Sequence, residues 1–206
     1  MKLEYREESR FFHYLNYLGD LVVYSLLWLL CSLPVITIGA STAAIISVQL
    51  DLVRGPGASG VRHFFEQFRR TFFRATKAWI AVLAVGFLML VDYEFIMGQP
   101  AGVRGVLLPV CIGVSIFLLF ICVYLFPVLS GKEMPLKRAV SVAARMSVAY
   151  LPRTLLLAVI AAVPVLEFLF VPSGVVVYTF PIWLFIGFSL LANLSARLLS
   201  EPLLHI

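Results

Sequence analysis

Four small groups of side chains have types and spacings that bear on chemistry. The first is Thr37, Gly39, Ser41 and Thr42, in the stretch LPVITIGASTAA. Pro34 ends an apolar helix there, and the spacing predicts that a helix restarts at Ser41 or Thr42. A restarted helix presents free N–H groups and partial positive charge at its N-terminus, and interrupted membrane helices hold substrate groups at such ends. Small residues at these positions also permit close helix packing, so ligand binding by these four residues stands against packing. Packing is the weightier of the two.

The second group is Asp20 with Arg197, each near the same-side end of an apolar segment, the first and the last. An ion pair between them, with Asn16 and Asn193 bonding nearby, would lock those segments together; independent snorkelling to the surface is the alternative. The third is His63 with Glu66, three apart on a helix. That spacing without further ligands is a weak metal signal. The fourth is Asp92 with Glu94 at the end of an apolar run, joined by Glu167 and Arg104, which are placed to pair with each other. Two carboxylates with no oriented nucleophile are poor grounds for catalysis. The sequence holds no phosphate-binding glycine loop, no HExxH and no nucleophile beside a base. No catalytic residue, metal or cofactor is expected, and the chain does not read as an enzyme.

The elements that position these groups are apolar helices. Hydrophobic residues make up 62% of the chain and charged residues 13%, against about 45–50% and 25% in soluble domains. Several runs approach the length of about 20 residues that a bilayer core requires. The net charge of +5 does not point to nucleic acid, because the basic residues sit in short segments between apolar runs, where they set topology and attract anionic headgroups. Cys31, Cys111 and Cys122 lie within apolar helices without metal spacing and read as buried small residues. The charged, aromatic start MKLEYREESRFFHY is not read as a signal peptide.

Six spans are expected. A first helix from about Leu15 to Leu33 is roughly 28 Å long, whereas the returning helix, Ala40 to Arg54, is only about 22 Å. Pro34–Gly39 should therefore lie below the membrane surface, where irregular backbone must be covered by protein or face a wet cavity. The third span is Ala78–Ile96, the fourth Val106–Leu129, the fifth Arg153–Phe170 and the sixth Val175–Leu199.

Two amphipathic segments lie between spans. In VRHFFEQFRRTFFRATK, Phe64, Phe65, Phe68 and Phe72 share an arc with Val61. Arg62, Arg69, Arg70 and Arg74 fill most of the rest. This reads as an interfacial helix, apolar side toward acyl chains or a helix bundle and basic side toward headgroups and water. The second segment, around LKRAVSVAARMSVAY, has the same character. Of the 16 Lys and Arg residues, all but Arg104 fall on one side of the six-span arrangement. That bias places both termini in the cytoplasm. Arg62, Arg69 and Lys77 recur 76 residues later as Arg138, Arg145 and Arg153, which reads as a parallel duplication of span, surface helix, span over about 40–97 and 106–170 within one membrane domain, 1–206.

The stretches LGDLVVYSLLWLLCSLPVITIGASTAA, HFFEQFRRTFFRATKAW, YLFPVLSG and LPRTLLL resemble the YesL-like family of small bacterial integral membrane proteins, which carry a domain of unknown function. The resemblance implies a multi-pass protein of the bacterial cell membrane, found in carbohydrate-uptake settings beside binding-protein-dependent sugar transporters. It brings no catalytic residues. The expectation is therefore an all-α polytopic membrane protein of about six transmembrane helices plus two cytoplasmic interfacial helices. It would act as an accessory or transport-associated component, with a sugar ABC transporter permease as partner; a stand-alone small transporter or channel using a cavity near residues 34–42 is the alternative.

Overall fold

In the computed structural model, residues 18–54, 60–131, 134–170, 179, 181, 185 and 187–204 are described. Every long regular element among them is a helix. Helix α1 spans Leu18–Ser32. Pro34 follows it, and a 3-10 turn at Val35–Thr37 runs straight into α2, Ile38–Arg54. The restart thus falls at Ile38 and not at Ser41 or Thr42. The tight turn needs no serine cap, because its own i→i+3 bonding, with Thr37 N donating to Pro34 O at 2.9 Å, feeds the helix directly.

Helix α2 is the axis of the molecule. Its stretch Ala43–Leu50 is buried on every face, as are Gly39, Ala40 and Ser41. Gly, Ala and Ser in its first half let neighbouring backbones come close, and a helix apolar all round has no preferred outward side. Four helices enclose it. Helix α1 lies alongside, tied by the Trp28–Thr42 hydrogen bond. Also packed on it are α3, Val61–Met97; α4, Ala101–Gly131; and α7, Phe188–Leu204.

Helix α3 corrects the expected separation of surface helix from span. Its 37 residues form one helix, about 55 Å long, so its basic first half cannot lie flat in the interface while its second half crosses. The second amphipathic segment behaves differently. Helix α5, Leu136–Ala149, meets α6, Leu151–Phe170, at a bend of 107°. Pro152 favours the break, since it has no N–H to bond the carbonyl four residues back and its ring crowds that turn, although α4 runs on through Pro109 and Pro127. In the 76-residue echo its counterpart is Thr76, which imposes no break. Tyr150, at φ −113° and ψ 43°, is the residue that leaves the helix. Thr154 closes the elbow, its hydroxyl 2.9 Å from Ser147 O, 3.0 Å from Tyr150 O and 3.2 Å from the Tyr124 hydroxyl.

This is a helical membrane protein. Three segments are long and apolar enough to cross a bilayer, namely Val35–Val53, Val61–Met97 and Ala101–Gly131; counting the bent α5–α6 pair as one span gives a fourth. Helix α1 and the first part of α7, Phe188–Leu199, are shorter apolar helices. The expected sixth span begins outside the described residues. The second half of α3 and the first half of α4 form an antiparallel hairpin whose side chains are mostly exposed, Phe87, Leu90, Phe95, Val106 and Val110 among them. Such a surface suits acyl chains.

Candidate functional site

The corner between α1 and α2 brings Thr37, Gly39, Ser41 and Thr42 together, and each is engaged by the protein. Thr37 Oγ1 lies 2.6 Å from Cys31 O and 2.7 Å from Pro34 O, so its hydroxyl serves carbonyls left over at the end of α1. Val35 O accepts from Trp79 Nε1 of α3 at 2.8 Å. Ser41 donates to Thr37 O and Thr42 to Ile38 O, at 3.1 and 2.8 Å, and Thr42 Oγ1 also accepts from Trp28 Nε1 at 3.2 Å. Gly39 faces α3 and α4. A Cβ there would sit 2.5 Å from Trp79 Cβ, 2.8 Å from Ala75 O and 3.0 Å from Phe126 Cε1. The hydroxyls and the glycine of the corner are thus engaged within the protein, while Leu33, Pro34, Val35 and Ile36 at its tip are exposed.

A polar ladder crosses the bundle between α1, α2 and α7. Arg197 Nε donates to Asn193 Oδ1 at 3.0 Å, and Asn193 Nδ2 donates to Gln49 Oε1 at 2.7 Å. Gln49 Nε2 donates to Ser189 Oγ at 2.8 Å, and Ser189 N donates to Ser25 Oγ at 3.0 Å. Ser25, Gln49 and Ser189 are fully buried and Asn193 is nearly so. Ser189, Asn193 and Arg197 stand at i, i+4 and i+8, one face of α7, and reach about 12 Å along it. Sequence reasoning found Asn193 and Arg197 but missed Gln49, Ser189 and Ser25. The available signals were that 4-residue spacing and a lone amide, Gln49, in an apolar run. Asp20 is half-buried near the start of α1, and Arg197 bonds Asn193 one turn back on α7. Asn16 lies outside the described residues.

Next to the ladder, α2 and α3 are joined by a two-rung zipper. Asp51 Oδ2 meets His63 Nε2 at 3.0 Å, and Ser47 Oγ donates to Gln67 Oε1 at 3.1 Å. Both pairs are four residues apart on their helices, so antiparallel helices match them rung for rung. The Tyr24 hydroxyl accepts from Gly60 N at 2.8 Å and fixes the start of α3 to α1. Gly60, at φ 111°, takes a backbone conformation that side chains disfavour. His63 and Glu66 therefore point to different partners, Asp51 and Arg62. Asp92 and Glu94 are exposed near the far end of α3 and Arg104 is exposed on α4. The side chain of Glu167 lies outside the described residues.

The phenylalanine arc of α3 divides. Phe64 is fully buried, and Phe68 and Phe72 pack partly buried against the core. Phe64–Phe68 and Phe68–Phe72 are in ring contact, with centroids 6.4 and 5.4 Å apart. Phe65 faces outward at 47% exposure, as does Phe73 at 74%. Arg62, Arg69 and Arg70 are exposed beside them and Arg74 is half-buried. The result is an outward face of α3 on which aromatic and guanidinium groups alternate.

A family model described as "Protein of unknown function, DUF624" matches residues 21–93. The match takes in most of α1, the turn, α2 and nearly all of α3, hence Gly39, Trp79, Gln49 and the Asp51–His63 zipper. No curated protein and no solved structure matches the chain.

Proposed function

We propose that this chain is a non-enzymatic accessory component of carbohydrate uptake in the bacterial cell membrane. On this reading the apolar part of α3 and α4 cross the bilayer, while α2, which runs beside residues 63–79 of α3, shares the level of that helix's basic half. Both termini and the basic end of the bundle lie in the cytoplasm. The distribution of Lys and Arg supports that orientation, and the resemblance to YesL-like proteins supports the uptake setting. The stand-alone transporter reading draws little support from residues 34–42, whose hydroxyls and glycine are engaged within the protein.

The observation that carries the reading is the outward face of α3. Val61 to Lys77 extends about 24 Å before the apolar run begins, on a helix with no bend to lay it flat. Phe65, Phe73, Arg62, Arg69 and Arg70 face away from the bundle along that length. Aromatic residues and arginine are the types enriched at protein interfaces. The fitting partner is the cytoplasmic side of a sugar ABC transporter permease. Exposed Lys137, Arg138 and Arg145 on α5, which lies across the axis of α6, suit anionic headgroups instead.

A photo-crosslinking residue at Phe73 tests this in intact cells. The expected product is an adduct with a transporter permease, lost when Arg69 and Arg70 are both changed to Glu. Adducts with lipid alone, or substrate flux by the purified chain in vesicles without a partner, would overturn the reading.

A further inference from the structure

A cavity of about 300 Å³ lies between α1, α2, α4, α6 and α7. Its volume is about twice that of an engineered 150 Å³ cavity that stays dry and binds benzene. The lining is apolar almost throughout. Trp28 and Phe188, stacked with centroids 4.1 Å apart, form one wall. The polar atoms of that wall are already paired, Trp28 Nε1 with Thr42 Oγ1. Water gains nothing in such a space, since it needs two to four polar partners.

The rim shows what can enter. Leu119 on α4 is 51% exposed and Ala161 on α6 is exposed. The mouth therefore opens sideways between two helices, onto the surface that faces acyl chains. The depth is also informative. Arg153, Leu157, Ile160 and Ala161 stand at i, i+4, i+7 and i+8, one face of α6. Leu157 and Ile160 line the cavity, and Arg153 sits one turn outward, toward the basic end. Its guanidinium lies 5.8 Å from the centre of the Tyr150 ring, at the elbow. A phosphate at the level of Arg153 would place the upper methylenes of its lipid about 6–12 Å deeper, the level of Leu157 to Ala161.

We propose that this cavity holds one acyl chain of an anionic phospholipid from the leaflet at the basic end, with Arg153 facing its phosphate. The site needs no partner protein, so it is independent of the accessory role proposed above.

Native mass spectrometry of the detergent-purified full chain, titrated with phosphatidylglycerol or phosphatidylcholine, tests it. The expected result is a single retained lipid with phosphatidylglycerol preferred. Ala192→Phe, which fills the inner wall, and Ala161→Phe, which blocks the rim, should each abolish retention. Leu83→Phe on the exposed face of α3 should not. Arg153→Gln should reduce the preference for phosphatidylglycerol by about fivefold, the worth of one basic group near a charged membrane surface. Should Ala192→Phe fail to fold, Ala161→Phe, at an exposed position, still decides. Retention unchanged by the cavity substitutions, equal retention of the two headgroups by the unmodified chain, or a mass of two chains without lipid would each overturn the proposal.

Discussion

Gly39 of α2 and Trp79 of α3 approach so closely that one added carbon on the glycine would lie 2.5 Å from the tryptophan Cβ. The neighbours on the other sides are the Ala75 carbonyl and the Phe126 ring, so no flexible side chain can simply move aside. Gly39→Ala should destabilise the protein by about 1–3 kcal/mol, the usual cost of overfilling a packed core. Thermal unfolding in detergent reads this directly. An alanine variant as stable as the parent would mean that the two helices are further apart than described.

Gln49 is the centre of the buried ladder, accepting from Asn193 and donating to Ser189. Gln49→Leu leaves both partners without their bond. Double-mutant cycles in membrane proteins put such interhelical bonds at about 0.6 kcal/mol on average and about 1.7 at most. A cycle of Gln49→Leu and Asn193→Leu should return coupling within that range. Strict additivity of the two substitutions would show that the bond does not contribute.

The elbow between α5 and α6 is bridged by the Thr154 hydroxyl. Thr154→Val keeps the shape but leaves the Tyr124 hydroxyl and Ser147 O, both in buried residues, short of a partner. The expected loss is about 1–3 kcal/mol. Thr154→Ser, which keeps the hydroxyl, should recover most of it. Equal melting temperatures for the valine and serine variants would remove the hydroxyl from the account.

The two outcomes for the phenylalanines of α3 separate stability from binding. Phe64 is completely buried, and Phe64→Ala should lose about 3–5 kcal/mol. Phe73 is 74% exposed, and Phe73→Ala should fall within about 0.5 kcal/mol of the parent, while weakening capture of the proposed permease partner. Circular dichroism melts and a pull-down from solubilised membranes distinguish them. A large stability loss at Phe73 would show that it serves the fold.

Helical class and membrane residence were legible because apolar runs of bilayer length have few other uses. The turn at Pro34 was legible for the same kind of reason, since proline leaves a helix few options. The continuity of α3 was not. A basic stretch beside a span is compatible with a flat helix or a straight one; Pro152 against Thr76 hints at the difference, but α4 continues through Pro109 and Pro127. The phenylalanine arc was read as one face, but three of its rings turn toward α2 and the core while Phe65 turns out. The ladder was half-visible: Asn193 and Arg197 drew notice through their position near a span end. Gln49 is polar without charge, and its value arises from being opposite Ser189 and Asn193, which lie some 140 residues away.

Because α3 has no joint between Val61 and Met97, it works as a rod. Any tilt imposed near Met97 reappears at Val61 with the same angle, and over roughly 55 Å a rotation of a few degrees sweeps the far tip through several ångströms. The zipper at Asp51–His63 and the anchor at Tyr24–Gly60 clamp that rod near its basic tip. Their strength therefore sets how far a tilt of the apolar half can displace Phe73 and the arginines of the basic half.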